Sequence, residues 1–329
     1  MTTETKPIAF TWPELSKGFV DFHENTILQY GMPKIGKSTL ASQFPSPLFF
    51  ATEDGHKHLK VHKFDIRAWT DFLFRVGELE KNISTCPFRT IIIDTVDNLS
   101  DMCIAFVVNK LGVQDLGDAG YGKGFAAYTR EFNKAVRRLT SLGLGVVYIS
   151  HAEEKEVDAD SVVNPYAAIN ADAKGKTTMI VPTVEKRARK FILGQADMIL
   201  YLEILKDLTR VIHAHPCRRF EAGDRSGRLP ATLPLSYDAI VTAYYGGGEK
   251  VQEAVDDLLE RIKVGVGHLS SKRIDGFDVK KRVDNWYKAH VGTSPTVDKL
   301  QSALQDLRVK ARTIKPEDTQ GEPKEEEQS

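Results

Sequence analysis

The stretch "YGMPKIGKSTL", residues 30–40, decides how the rest of the chain is interpreted. It matches the pattern G-x-x-x-x-G-K-[ST] in full, through Gly31, Gly36, Lys37 and Ser38. An apolar run, "ILQY", leads into it, and a helix-like segment, "KSTLASQF", follows it. Backbone N–H groups can wrap closely around phosphate oxygens in such a loop only where glycine leaves room. The stretch therefore predicts a phosphate-binding loop between a strand and a helix, rather than a tight glycine turn.

The chemistry of this loop predicts both a nucleotide and a metal ion. Lys37 is expected to reach the β- and γ-phosphates of ATP, and the hydroxyl of Ser38 to bind Mg²⁺. The predicted nucleotide-binding residues are Gly31, Met32, Pro33, Lys34, Ile35, Gly36, Lys37, Ser38 and Thr39.

Two further acidic segments fit the same chemistry. In "FRTIIIDTVDNL", Asp94 stands at the tip of a strand-like apolar run, where a carboxylate orders the metal beside a nucleotide. In "LFFATEDG", Glu53 and Asp54 end the strand that follows the loop's helix. These two acids either cap the next turn or orient and deprotonate the attacking water, and their place at the carboxyl end of a sheet favours the second role.

Composition indicates a globular protein that acts away from membranes. The chain has 329 residues, of which 41% are hydrophobic and 27% charged, with a net charge of zero. No uncharged apolar stretch approaches the roughly 18 residues needed to cross a bilayer, and the first residues lack a basic segment followed by an apolar one. We expect a cytoplasmic protein without a membrane partner, in the host cytoplasm if the chain is phage-encoded.

The order of apolar runs predicts an α/β fold. Between residues 27 and 215, strand-like runs alternate with helix-like segments, as in a mostly parallel sheet. The last two runs flank Lys206 and Asp207 and are expected to pair as an antiparallel hairpin. We divide the chain into four parts: an N-terminal arm (1–23), the core (24–245), a small helical appendage (249–312) and a disordered acidic tail (313–329).

Six segments together carry a resemblance to a known family: "GMPKIGKST", "FFATEDG", "IIIDTVDNL", "GYGKGF", "VVYISH" and "FEAGDRSGRLP". In kind and order they resemble a RecA-like P-loop ATPase, in particular the phage-encoded group linked to single-strand annealing recombination. The resemblance covers roughly residues 24–245 and leaves out the helical appendage. It implies a RecA-like P-loop NTPase core with a mostly parallel central sheet. It also implies that Glu53 is the catalytic glutamate and that His151 takes the place of a catalytic sensor of the γ-phosphate, where RecA itself has glutamine. The other interpretation of His151 is a cap of the strand end.

The resemblance further implies binding of single-stranded DNA through two loops. The first is residues 109–124, where Tyr121 is expected to stack on bases and Lys123 to meet phosphate. The second is residues 152–185, which show no regular periodicity until their last part. The basic residues expected to contact DNA there and just beyond are Lys174, Lys176, Arg187 and Arg189. A solvated basic face is the alternative.

The expected function combines these elements. We expect an ATPase that oligomerises on single-stranded DNA and promotes annealing or strand pairing in phage recombination, repair or replication. Arg218 or Arg219 would act on the nucleotide of a neighbouring copy, or else form ordinary salt bridges. A single-strand binding protein or other phage replication proteins are the further expected partners. The alternatives are a helicase-like motor and a nucleotide-gated loader of partner proteins.

Overall fold

The computed structural model describes residues 21–158 and 176–246, together with Ile262 and Ala303 as single helical, buried positions. Of the four predicted parts, the core contains almost all of the described residues. Residues 1–20 of the arm, nearly all of the appendage and the acidic tail lie outside the described residues.

A sheet runs through the centre of the described chain. Its ten strands, in chain order, are β1 (Thr26–Gly31), β2 (Pro47–Ala51), β3 (His62–Asp65), β4 (Thr90–Asp94), β5 (Gly145–Asp158), β6 (Lys176–Pro182), β7 (Met198–Ile204), β8 (Arg210–His213), β9 (Gly223–Asp224) and β10 (Thr232–Pro234). The spatial order is β10-β8-β7-β1-β5-β4-β2-β3, with β6 paired to β5 and β9 to β7.

The central strands are parallel, which confirms the predicted RecA-like P-loop fold with a mostly parallel sheet. β1 lies between β5 and β7, and β4 is separated from β1 by β5. β7 and β8 form the antiparallel hairpin predicted around residues 206–207. Because all central strands run the same way, their carboxyl ends meet at one edge, where α/β proteins bind ligands.

Helices cover both faces of the sheet, and each face has its own apolar core. The helices are α1 (Lys37–Ala41), α2 (Trp69–Asn82), α3 (Val96–Leu111), α4 (Lys123–Thr140), α5 (Lys186–Gln195) and α6 (Tyr237–Tyr245). Neighbouring residues of β4 point to opposite faces: Ile91 and Ile93 pack with α2 to α5, whereas Ile92 packs with α1 and α6. The apolar residues Tyr128, Phe132, Val136 and Leu139 of α4 recur at helical spacing and pack in the first of these cores.

The second predicted DNA loop has more regular structure than the sequence indicated. β5 continues past His151 to Asp158, and β6 pairs with it antiparallel, from Ala152 opposite Pro182 to Asp158 opposite Lys176. The prediction of an irregular segment was therefore wrong for its beginning, residues 152–158, whereas β6 lies in the last part, which the prediction had excepted. The strand "EEKEVD" has no apolar periodicity because it projects beyond the core, where backbone pairing rather than burial holds it.

Among the helices that the structure describes, none has both the length and the apolar character needed to span a bilayer.

Candidate nucleotide site and its surroundings

The predicted phosphate loop leaves the end of β1 at the carboxyl edge of the sheet. Gly31 lies between His151 of β5 and Leu202 of β7, and a Cβ at this position would stand 2.7 Å from the Leu202 carbonyl oxygen. Gly36 has φ +116°, a conformation that residues with a side chain rarely adopt. The first glycine is needed for close strand packing and the second for the backbone turn into α1.

Lys37 is buried inside this loop. Its ammonium donates to the carbonyl oxygens of Gly31 at 2.8 Å and Met32 at 3.0 Å, and lies 3.4 Å from Nδ1 of His151. Burial lowers the pKa of Lys37, and three nearby carboxylates oppose that shift. They belong to Asp94, Asp97 and Glu53. The loop thus holds one cation at its centre, facing the acids at the strand ends.

The hydroxyl of Ser38 donates to Asp94 Oδ2 at 2.6 Å, so the two predicted metal ligands are together. Asp94 is only 1% exposed, and within the described residues its Oδ1 has no hydrogen-bond partner. A buried carboxylate oxygen without a partner beside a serine hydroxyl fits Mg²⁺, which commonly binds one or two carboxylates and completes its shell with phosphate and water. These residues therefore suit the metal ion that the loop implies.

His56 is a member of this site that the sequence did not indicate. Its Nε2 lies 2.8 Å from Asp94 Oδ2, its ring is 5% exposed, and it packs edge-on against Phe49. In the sequence it stands in "EDGHKH", a polar segment with the character of a loop, which offered no signal for a buried role. His56 and Ser38 thus contact the same carboxylate oxygen of Asp94, Oδ2, and leave Oδ1 without a partner among the described residues.

The two acids after β2 point to different surroundings. Glu53 Oε2 lies 4.0 Å from Nε2 of His151, whereas Asp54 forms an exposed pair with Arg67 at 2.5 Å. Thr52 fixes this turn, since its hydroxyl donates to the carbonyl of Thr95 and accepts from that residue's N–H. Glu53 therefore faces His151, which in turn contacts Lys37 of the P-loop, whereas Asp54 is directed to Arg67.

His151 lies within β5 rather than at its end, which corrects the predicted position. It stands where the strand leaves the central sheet, opposite Gly31 on one side and followed by the β5–β6 ribbon. Its N–H donates to Asp97 Oδ2 at 3.3 Å, and its carbonyl accepts from the N–H of Thr183 at 3.1 Å. His151 therefore joins the nucleotide loop to the ribbon and to the segment that begins α5.

Asp97 collects these contacts and was also missed from the sequence. Its Oδ1 accepts hydroxyl hydrogen bonds from Ser150 at 2.8 Å and Thr183 at 2.5 Å, in addition to the His151 contact. It lies three residues after Asp94, but its partners are 53 to 86 residues away along the chain. Only the folded sheet brings them together.

A further arginine stands beside the loop. Nη1 of Arg210, at the start of β8, lies 3.5 Å from where a Cβ on Gly36 would be. The arginines singled out as trans-acting cations lie elsewhere: Arg219 pairs with Glu203 at 3.2 Å, and its neighbour Arg218 is half-buried. The salt bridge of Arg219 is the ordinary role left open by the sequence.

The first predicted DNA loop presents its aromatic residue fully to the surface. Three successive residues with positive φ, 120 to 122, turn the chain at this point, and Tyr121 with φ +48° is completely exposed. Lys123 follows as the exposed first residue of α4. An L-residue in the left-handed region is uncommon, and such backbone conformations concentrate at functional positions.

The basic residues predicted to bind DNA in and after the second loop do not form one cluster. The guanidinium of Arg187 lies 4.0 Å over the ring of Phe125 and pairs with Glu185 at 3.1 Å. Arg189 is half-buried and directed towards the carbonyl of Pro182, away from Arg187. Lys174 lies outside the described residues, as does the side chain of Lys176. Of this set, the structure places only Arg187 beside the first loop.

Comparison with known proteins identifies the family of this chain. A family model described as an AAA domain, AAA_24, matches residues 23–226, more than half of the chain. No curated protein matches it. Among solved structures, a KaiC-like protein from the hyperthermophilic archaeon Pyrococcus horikoshii is similar at 14% identity and a TM-score of 0.34, over 58% of this chain and 78% of that one. The chain belongs to the AAA_24 family of AAA domains and is a P-loop ATPase.

Proposed function

We propose that this protein is a Mg²⁺-dependent ATPase that binds single-stranded DNA in the cytoplasm, assembles on it in several copies, and promotes annealing in phage DNA recombination. One observation carries the nucleotide chemistry: Lys37, the Ser38–Asp94 pair and the Glu53–His151 pair meet at one loop. The nucleic-acid part is supported by the resemblance to the annealing group and by the exposed Tyr121 beside a basic helix.

In the proposed reaction, water attacks the γ-phosphorus of ATP and the bond to the bridging oxygen of ADP breaks. Glu53 orients the water and accepts its proton, because a carboxylate near the γ-phosphate can act as general base. Lys37 neutralises charge on the phosphates from inside the loop. Mg²⁺, held by Asp94 and Ser38, would neutralise the charge that develops on the β- and γ-phosphate oxygens.

His151 is the residue through which the nucleotide state would reach the DNA. It contacts Lys37, faces Glu53 and continues directly into the β5–β6 ribbon. A shift of its ring on loss of the γ-phosphate would move a strand whose far end leads to the second loop. This arrangement supports stimulation of hydrolysis by DNA.

The decisive assay measures ATP hydrolysis by the full chain with and without single-stranded DNA, alongside annealing of complementary oligonucleotides and unwinding of a duplex. We expect hydrolysis that DNA accelerates, together with annealing and without unwinding. Duplex unwinding would identify a helicase-like motor instead, and nucleotide binding without turnover would identify a loader. The Lys37→Ala variant serves as the inactive reference.

Two neighbouring acids provide a matched pair of variants. Glu53→Gln should keep nucleotide binding but lower the hydrolysis rate by about 10²–10⁴-fold, because the amide retains the shape but cannot accept a proton. Asp54→Asn, in the exposed pair with Arg67, should hydrolyse ATP at nearly the wild-type rate. The opposite result would assign water activation to Asp54.

A further inference from the structure

A surface groove of about 760 Å³ runs along α4, and Arg187 of α5 is its one lining residue from another helix. No acidic side chain is among its lining residues, whereas four cations are. The cations are Arg130, Lys134, Arg137 and Arg187. The chain has zero net charge, yet the charged side chains that line this groove are all positive, and of the four only Arg187 is paired with an acid among the described residues, Glu185.

The three cations of α4 belong to one face of the helix. Arg130, Lys134 and Arg137 follow the i, i+4, i+7 spacing, and all three are exposed. Lys123 extends the same stripe to the start of α4, so that it runs from residue 123 to residue 137, a distance of about 21 Å at a rise of about 1.5 Å per residue. None of the described acids pairs with these residues, in contrast to Arg138 on the same helix, whose charge meets Glu80.

Aromatic rings hold two of the guanidinium groups in place. Arg187 lies over Phe125 at 4.0 Å, and Arg137 lies over Phe191 at 5.3 Å. A guanidinium that is already positioned loses less freedom when it binds a phosphate, and its planar fork matches phosphate oxygens. The groove is thus a preformed anion-binding surface with apolar ring faces beside it.

We infer that the groove along α4 binds the phosphate backbone of single-stranded DNA, and that Arg130, Lys134 and Arg137 extend the DNA path beyond the residues predicted from the loops. The inference rests on the proposed function and names a further part of its DNA site. Continuity supports this occupant, because Gly122, next to the exposed Tyr121, lines the same groove. A base-stacking residue followed by a track of cations is the usual arrangement of single-strand binding sites.

The groove also has a direct connection to the nucleotide site. Arg187 of α5 lines the groove, and α5 begins three residues after Thr183, which bonds both Asp97 and the carbonyl of His151. A change at His151 therefore reaches the groove through two hydrogen bonds and the first turn of α5. DNA bound in the groove and the γ-phosphate of ATP would therefore both act on the position of the segment between Thr183 and the first turn of α5.

The test uses the full chain with Arg130→Gln, Lys134→Gln and Arg137→Gln combined, and measures binding of labelled oligothymidylate by fluorescence anisotropy at several salt concentrations. We expect affinity to fall by about 10-fold or more, and the slope of log K against log salt to become shallower by about 2, since each lost phosphate contact removes about 0.7 for single strands. The matched control replaces three exposed lysines with glutamine, Lys60, Lys63 and Lys81, and should keep both values. Thermal unfolding measured in parallel confirms that each variant is folded.

The possible outcomes separate the groove from the proposed function. Wild-type protein that fails to bind the oligonucleotide would refute the proposed DNA binding itself. If the triple variant binds the oligonucleotide with wild-type affinity and the same salt slope, the assignment of DNA binding to the groove is refuted, and the proposed function is not. A labelled peptide of residues 313–329 provides a third outcome. If this peptide binds wild type but not the triple variant, while DNA binding is equal in both, the ligand of the groove is the acidic tail and the inference is refuted.

Discussion

Replacing Asp97 with alanine tests the connection between the nucleotide loop and α5. The carboxylate is the shared acceptor for Ser150, Thr183 and the N–H of His151, at the start of α3. No other described side chain joins these segments in this way. We expect Asp97→Ala to lower both the stability of the core and the rate of ATP hydrolysis.

The expected loss of stability depends on whether each hydrogen-bond partner of Asp97 finds another acceptor in the variant. The N–H of His151 loses a charged acceptor, which costs about 2 kcal/mol of stability. Loss of the hydrogen bond from the half-buried hydroxyl of Thr183 costs about 1 kcal/mol, because water can replace part of it. Ser150 keeps its second acceptor, the carbonyl of His151 at 3.1 Å. An acid in the first turn of α3 adds about 0.5 kcal/mol through the helix dipole. Together these terms predict a loss of about 3.5 kcal/mol.

Urea unfolding followed by far-ultraviolet circular dichroism measures this loss. With a slope of about 2 kcal/mol per molar urea, the midpoint should fall by about 1.7 M. Hydrolysis should fall by about 10-fold or more while ATP affinity changes less, because His151 and not the phosphate loop is displaced. The control is Asp101→Ala, an exposed acid one turn further along α3, whose midpoint should stay within about 0.3 M of wild type.

The reasoning would be refuted by an Asp97→Ala midpoint equal to that of Asp101→Ala, with hydrolysis unchanged. A double-mutant cycle with Thr183→Val isolates the pair, and we expect a coupling energy of at least about 1 kcal/mol. A coupling energy near zero would show that Thr183 does not depend on Asp97.

Three further predictions concern other parts of the core. Gly31→Ala should destabilise the protein by about 1–3 kcal/mol and abolish ATP binding, because its Cβ would stand 2.7 Å from the Leu202 carbonyl oxygen; unchanged calorimetric binding would contradict this. The hydrogen bond from Arg138 lowers the pKa of the partly exposed Glu80 carboxyl. The pair therefore stabilises the folded protein by about 0.5 kcal/mol above the ordinary carboxyl pKa of about 4.3, and this stabilisation is lost as pH falls through the lowered pKa. Arg138→Gln should therefore differ from wild type near neutral pH but not in strong acid, and a difference independent of pH would exclude this cause. Tyr121→Ala should weaken binding of single-stranded DNA by roughly 1–3 kcal/mol with little change in salt slope, since stacking releases no counterion; equal affinity would remove Tyr121 from the DNA path.

The sequence alone was enough for the P-loop and for the α/β class of the core. Gly31, Gly36, Lys37 and Ser38 are fixed to one another by short spacing, and the strand and helix around them show in local apolar patterns. Asp94 was found for the same reason, because a carboxylate directly after four apolar or β-branched residues is a local signal. The hairpin of β7 and β8 also followed from two adjacent runs and a polar turn.

Strands held by backbone pairing rather than burial were not predictable in this way. The edge strand β3, "HKFD", and the outer part of β5, "EEKEVD", have no apolar alternation, so that nothing in their composition separates them from loops. Their pairing with β2 and β6 satisfies backbone groups and depends on where those partners already lie.

The site beyond the loop was decided by the order of strands in the sheet. Because β5 lies between β1 and β4, His151 comes to stand beside Lys37, and Asp97 comes within hydrogen-bond distance of Ser150 and Thr183. The burial of His56 against Asp94 and the groove of cations that joins α4 to Arg187 of α5 arise in the same manner. Each joins residues far apart in the chain, and a sequence records neither the distance between two strands nor which helix faces meet, since both result from packing the whole core at once.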